Sequence, residues 1–194
     1  AAARTLCERA QAPTVTVLGH SLGAHHPAMS DAATQARIHK LVSIGSGAGF
    51  WRDWAAPSRK LAPLLLHVAG PLLTRLFGYF PGKRLGMVGD LPAGVMLQWS
   101  RWCRHPQFAW GAQPELVCPA LATVRYPIHA IGFTDDEAMT EDCIRKLLQV
   151  QPNAASTLTM VTPQSMGVTR IGHLGAFRKE MHQQVWPYIA KCLL

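Results

Sequence analysis

The 194-residue sequence predicts an α/β fold, a mostly parallel sheet flanked by helices and interrupted by a helical insertion. Three observations carry that prediction. Short apolar, β-branched runs alternate with helical segments, the pattern of strands joined by crossovers. Glycine clusters at 19–23 and 45–49 close two of these runs, where a buried strand hands the chain to a sharp turn. Between the second cluster and the next strand lies a stretch from 50 to 118, rich in Trp, Leu and Pro and without strand periodicity.

The opening "AAARTLCERAQAP" reads as a helix end plus linker, in a chain expected to begin mid-protein because it has neither an initiator Met nor a signal layout. "TVTVLG" at 14–19 is a buried strand, and "SLGAHHPAMSDAATQAR" starts a short helix that Pro27 limits. A second strand covers 41–44, ahead of "GSGAG". The expected division is a core of 1–49 and 119–194 with a helical cap of 50–118 inserted. In the second half of the core, "PIHAIGF" is a strand, "EDCIRKLLQV" an amphipathic helix, "STLTMVTP" a further strand, and a last helix runs from about Phe177 to Lys191, bent at Pro187.

Composition bounds the function. A formal charge of +8 permits anionic partners, but the basic residues are scattered rather than massed. Trp51, Trp54, Trp99, Trp102 and Trp110 are explained by packing or an apolar pocket, so no nucleic-acid partner is expected. Five cysteines without a CxxC pair fit reduced thiols and a cytoplasmic location, and they offer no zinc-ligand spacing. The apolar stretch at 61–80 carries Pro63, His67, Pro71 and Arg75, which argues against stable membrane insertion.

The chemistry concentrates in Gly19-His20-Ser21-Leu22-Gly23, because a strand, G-x-S-x-G and a helix in that order make a nucleophile elbow. Gly19 and Gly23 are expected to remove Cβ atoms that would strike neighbouring elements. A helix beginning at Ser21 would bring its dipole to the site, with the Leu22 N–H as oxyanion donor. A serine hydroxyl needs a histidine base, and that base needs a carboxylate. Asp135 stands two residues beyond "PIHAIGF", with one residue between, at the carboxyl edge of the sheet, and is the expected acid; Asp136 and Glu137 adjoin it. His173 in "TRIGHLGAF" is the expected base, freed by Gly172 and Gly175 to reach over the sheet edge. Such a triad calls for no metal and no organic cofactor. His25 and His26 are read as helix residues, and "GSGAG" lacks the spacing and the Lys of a phosphate loop.

The strings "GHSLGA", "GSGAGFWRDWAAP", "GYFPGKRLGMVGDLPAGVMLQWSRWCRHP", "GFTDDEAM" and "RIGHLGAFR" resemble those of α/β-hydrolases. The nearest likeness is to a group of bacterial α/β-hydrolases loosely related to the dienelactone hydrolase and serine aminopeptidase branches. The resemblance implies the C-terminal part of an α/β-hydrolase fold, with Ser21 as nucleophile, Asp135 as acid and His173 as base. The implied activity is cleavage of an ester, thioester or related acyl bond of a small-molecule substrate through an acyl-enzyme. Only thirteen residues precede the nucleophile strand, so the loop that supplies a second oxyanion donor in the family is expected to be missing. That strand would then be an exposed apolar edge, able to pair two copies into a homodimer. The alternative reading is a non-catalytic fragment of the fold that acts in association.

Overall fold

A computed structural model describes residues 2–87 and 89–194. In chain order the elements are α1 (Ala2–Ala10), β1 (Val15–His20), α2 (Ala32–Gln35), β2 (Ile38–Ile44), α3 (Ser58–Pro63), α4 (Gly70–Phe77), β3 (Tyr79–Phe80), β4 (Leu91–Pro92), α5 (Ala93–Arg104), α6 (Phe108–Ala112), α7 (Pro114–Thr123), β5 (Ile128–Phe133), α8 (Glu141–Gln149), β6 (Ser156–Val161), α9 (Gly172–Gly175) and α10 (Val185–Leu193). A π-helical stretch, Leu64–Ala69, joins α3 to α4 into one helical rod.

The main sheet runs β1-β2-β5-β6, and every neighbouring pair is parallel. Register aligns the carboxyl ends of three strands: His20 pairs with Ile44, and Ile44 with Ile131. The chain therefore leaves β1, β2 and β5 at one edge, which is where a parallel sheet collects functional loops. Apolar side chains cover both faces. Leu41 and Ile128 pack with Val117, Leu121 and Cys143 on one side, and Val42, Ile44, Ile131 and Phe133 pack with Val185 and Ile189 of α10 on the other. β1 is an edge strand of the described sheet, and Leu18 on it is exposed.

The sequence places the strands well and the helices less so. β2 begins three residues before the expected 41, because Ile38 belongs to the same buried face as Leu41. The segment between β2 and β5 is largely helical, yet β3 and β4 form a two-stranded antiparallel ladder within it. Its expected end at 118 falls inside α7, so the helices continue to Thr123. The single helix expected over 177–191 is instead α10 alone, preceded by a 3₁₀ turn at Lys179–Met181. Pro187 sits in the first turn of α10, where its missing N–H costs nothing, and so it bends no helix. All five cysteines are free. No helix of the described residues is long and apolar enough to cross a membrane.

Candidate active site

Ser21 follows β1 directly and holds φ at +51°, a left-handed conformation that a non-glycine residue adopts at a cost of roughly 1–2 kcal/mol. Gly19 makes the turn sterically feasible: a Cβ there would lie 2.5 Å from the Ala24 Cα. Gly23 does not share that role, since a Cβ on it would meet nothing within 4 Å. The short helix expected from Ser21 is not α-helical. Ser21–Ala24 is one 3₁₀ turn, and a second turn, His26–Met29, carries Pro27 at its start. Proline removes the N–H that would have extended the first turn, so no long dipole builds up behind Ser21.

His173 arrives from beyond β6 in α9, with Gly172 at φ +62° admitting the chain. Its Nε2 lies 3.1 Å from Ser21 Oγ, and its Nδ1 lies 2.9 Å from Asp136 Oδ2. With Nδ1–H donating to the carboxylate, the Nε2 lone pair is left to accept the serine proton. Asp136 is held in turn, because its Oδ1 accepts from the Ala138 N–H at 2.8 Å and the Met139 N–H at 2.7 Å. Gly45, at φ +51°, clears the space beneath: a Cβ there would stand 3.1 Å from Asp136 Oδ2.

The expected carboxylate, Asp135, is therefore not the one on His173. Its Oδ2 accepts from the backbone N–H groups of Ile171 (2.8 Å) and Gly172 (3.0 Å), which fastens the loop that carries His173. The reason is the turn after β5. Consecutive residues there point to different sides, and the fully buried side is that of Asp136. His20 is a supporting residue that sequence reasoning passed over. Its Nε2–H donates to the His173 carbonyl at 2.8 Å and its ring packs 5.0 Å from that of His173. The available signal was its place at the strand end immediately before the serine. Burial is the main cause that lowers the His20 pKa from its ordinary value, favouring the neutral ring.

A cavity of about 490 Å³ opens at Ser21 and His173. Leu65, Trp54, Trp99, Phe108 and Met139 give it an apolar wall. The tryptophans pack among themselves, Trp54 against Trp99 at 6.2 Å, and with Phe108, which contacts Trp102 and Trp110. His25 lines the same cavity rather than standing as an ordinary helix residue. It rests edge-on against Phe108 and hydrogen-bonds the Gly47 backbone, and burial pushes its pKa down to about 4. The "GSGAG" turn forms the floor, where a Cβ on Gly47 would strike the Cys143 carbonyl at 2.6 Å and one on Gly49 the Phe108 ring at 2.7 Å. Among the described residues no cluster of His, Cys, Asp and Glu is arranged to hold a metal ion.

The family model of the alpha/beta hydrolase family matches residues 1–177, and the chain belongs to that family. Solved structures agree in fold. The chain aligns over 98% of its length with 71% of an alpha/beta fold family hydrolase from Bacillus anthracis, at 14% identity and a TM-score of 0.52. It aligns equally far with 71% of the monoacylglycerol lipase of Paleococcus ferrophilus, at 11% identity and a TM-score of 0.51. A carboxylesterase structure from Nitrososphaera gargenis aligns over 97% of this chain and 69% of its own, at 15% identity and a TM-score of 0.50. At such identities the likeness concerns the fold. A comparison with curated protein sequences finds no match. Family membership supports hydrolase activity in general terms.

Proposed function

We propose that the chain is a serine hydrolase that cleaves an ester, thioester or related acyl bond, with Ser21 as nucleophile, His173 as base and Asp136 as the orienting acid. The single observation that carries this reading is the continuous relay Ser21 Oγ, His173 Nε2 and Nδ1, Asp136 Oδ2, with links of 3.1 and 2.9 Å at the end of an apolar cavity. In the reaction, Ser21 Oγ attacks the acyl carbonyl while its proton passes to His173 Nε2, and Asp136 stabilises the imidazolium. The Leu22 N–H meets the developing oxyanion. His173 then returns the proton to the leaving oxygen or sulfur, takes one from water as its oxygen attacks the acyl carbon, and gives it back to Ser21 Oγ as the acid departs.

The helices between β2 and β5 act as a cap in this reading. Trp54, Trp99 and Phe108 line the space that receives the acyl chain and exclude water from it. Steady-state hydrolysis of p-nitrophenyl esters of increasing chain length tests the proposal. Turnover that rises with chain length and disappears in Ser21→Ala is expected, whereas turnover retained in that variant contradicts it. The edge position of β1 also supports pairing of two copies through that strand. Light scattering over a concentration series checks this, and a monomer throughout would count against it.

A further inference from the structure

The rod formed by α3, the π-helical stretch and α4 is apolar on opposite sides. Ala62, Leu66, Gly70 and Thr74 form a buried line at four-residue spacing. Leu64, Val68, Leu72 and Leu76 form a second line, two residues on and so about 200° around the helix. With Leu61, that second line is 51 to 69% exposed. A helix hydrophobic all round is ordinarily buried, so an outward row of this length marks an interaction surface. Phe77, Leu85 and Met87 are exposed as well and extend it.

Two further observations identify what covers the ridge. The first is charge. From Trp54 to Gly89 the chain carries Arg59, Lys60, Arg75, Lys83 and Arg84 and not one carboxylate. All five are exposed, and none forms an ion pair among the described residues. Arg84 lies over the Phe77 ring at 5.8 Å. Beside the ridge, a cavity of about 860 Å³ between α4 and α5 is lined by His67, Arg75, Arg101 and Arg104, again without an acidic residue. An apolar row bordered by unpaired cations has the make-up of a segment that lies in the interface of an anionic membrane. The second is continuity with the site. Leu61 and Met87 line the cavity at Ser21 and are themselves exposed, so the apolar surface runs from the ridge into the cavity mouth.

We infer that this ridge docks the protein on an anionic lipid surface and seats the mouth of the Ser21 cavity against the bilayer. Building on the hydrolase reading, the substrate class becomes acyl lipids that pass from the membrane into the cavity without crossing water. The docking involves no spanning helix and leaves the sheet core in solution.

Flotation with lipid vesicles tests the inference, using the full chain as Ser21→Ala so that binding is read without turnover. The protein is expected to float with phosphatidylglycerol vesicles and at least about tenfold less with phosphatidylcholine vesicles. The double variant L72D/L76D, at exposed positions outside the Ser21 cavity, is expected to lose flotation. Placed in the parent chain, it is expected to retain hydrolysis of water-soluble esters. A second variant, R75E/R84E, is expected to lose the preference for phosphatidylglycerol while keeping the ridge. Absence of flotation with phosphatidylglycerol, or flotation unchanged by L72D/L76D, overturns the inference. So does a lipid-independent dimer in sedimentation velocity that L72D/L76D dissociates, because the ridge would then be covered by a second copy. The two readings fail separately. Vesicle binding by a parent chain that hydrolyses nothing rejects the hydrolase, and ester hydrolysis without vesicle binding rejects the docking.

Discussion

The carboxyl edge of the sheet and the helical segment between β2 and β5 are built on different principles. At the sheet edge, backbone fixes the side chains: the φ of Ser21, the two N–H groups on Asp136 and the two on Asp135 each determine where a reactive group sits. In the helical segment, aromatic packing is the main shaping force, through Trp54 on Trp99 and Phe108 between Trp102 and Trp110, with Phe108 turned at φ +46° and Trp102 tied to Gln113. Reaction chemistry tolerates displacements well below an ångström, whereas an apolar cavity can be reshaped one methylene at a time for a modest cost. The first region should therefore respond to substitution by losing turnover, and the second by changing what is turned over.

The largest effects are expected at the sheet edge. Ser21→Ala or His173→Ala should each reduce kcat by about 10⁴-fold or more, and the double variant should be scarcely worse than either, because the groups act as a unit. Steady-state kinetics on a soluble ester would measure this, and simple multiplication of the two effects would contradict it. Next comes the pair of adjacent carboxylates. Asp136→Asn removes the acceptor that fixes the His173 tautomer and should reduce kcat by about 10³- to 10⁴-fold. Asp135→Asn keeps an acceptor for the Ile171 and Gly172 N–H groups, so it should retain activity within about tenfold and lose on the order of 1 kcal/mol of stability in urea titration. Equal kinetic losses in the two variants would show that the loop anchored by Asp135 is as decisive as the direct contact.

The helical segment should give a smaller effect of a different kind. Trp99→Ala widens the cavity and is expected to shift the preferred acyl chain to greater length, with about a tenfold change in relative kcat/KM and little change in kcat for the shortest ester. A uniform loss across chain lengths would mean that Trp99 supports the sheet edge rather than the acyl space.

The last effect concerns stability against pH and leaves the chemistry of the site aside. His25 titrates near 6.5 when unfolded and at about 4 in the folded chain. Above pH 6.5 both states are neutral there and no stability is at stake. As pH falls from 6.5 toward 4 the unfolded state takes up the proton first, so stability should decline by at most about 1.4 kcal/mol per pH unit. Urea titrations at pH 7 and pH 5 would measure the slope, and His25→Gln should lessen it, leaving the contribution of His20 and His129, whose pKa values burial also lowers.

Much of the sheet edge could be read from the sequence, because a strand, a G-x-S-x-G turn and the order serine, aspartate, histidine constrain one another. The choice between Asp135 and Asp136 could not. Both follow β5 within three residues, and the direction each side chain takes depends on turn geometry that composition does not encode. His20 escaped notice because its role is to hold a carbonyl 153 residues away. The short helix expected after Ser21 and limited by Pro27 is two separate 3₁₀ turns, with Pro27 at the start of the second. In the helical segment, apolar residues on two opposite sides of the rod gave no period from which to judge which face is buried, and the packing of α5 decides it.

The central claim is that Ser21 is activated by His173 under the hold of Asp136. A fluorophosphonate probe tests this most directly, since it reports an activated serine without a known substrate. The account predicts one adduct, located on Ser21 by mass spectrometry of the digested protein, formed far more slowly in His173→Ala and Asp136→Asn. A folded chain that takes no adduct, or one labelled equally fast without His173, would contradict it.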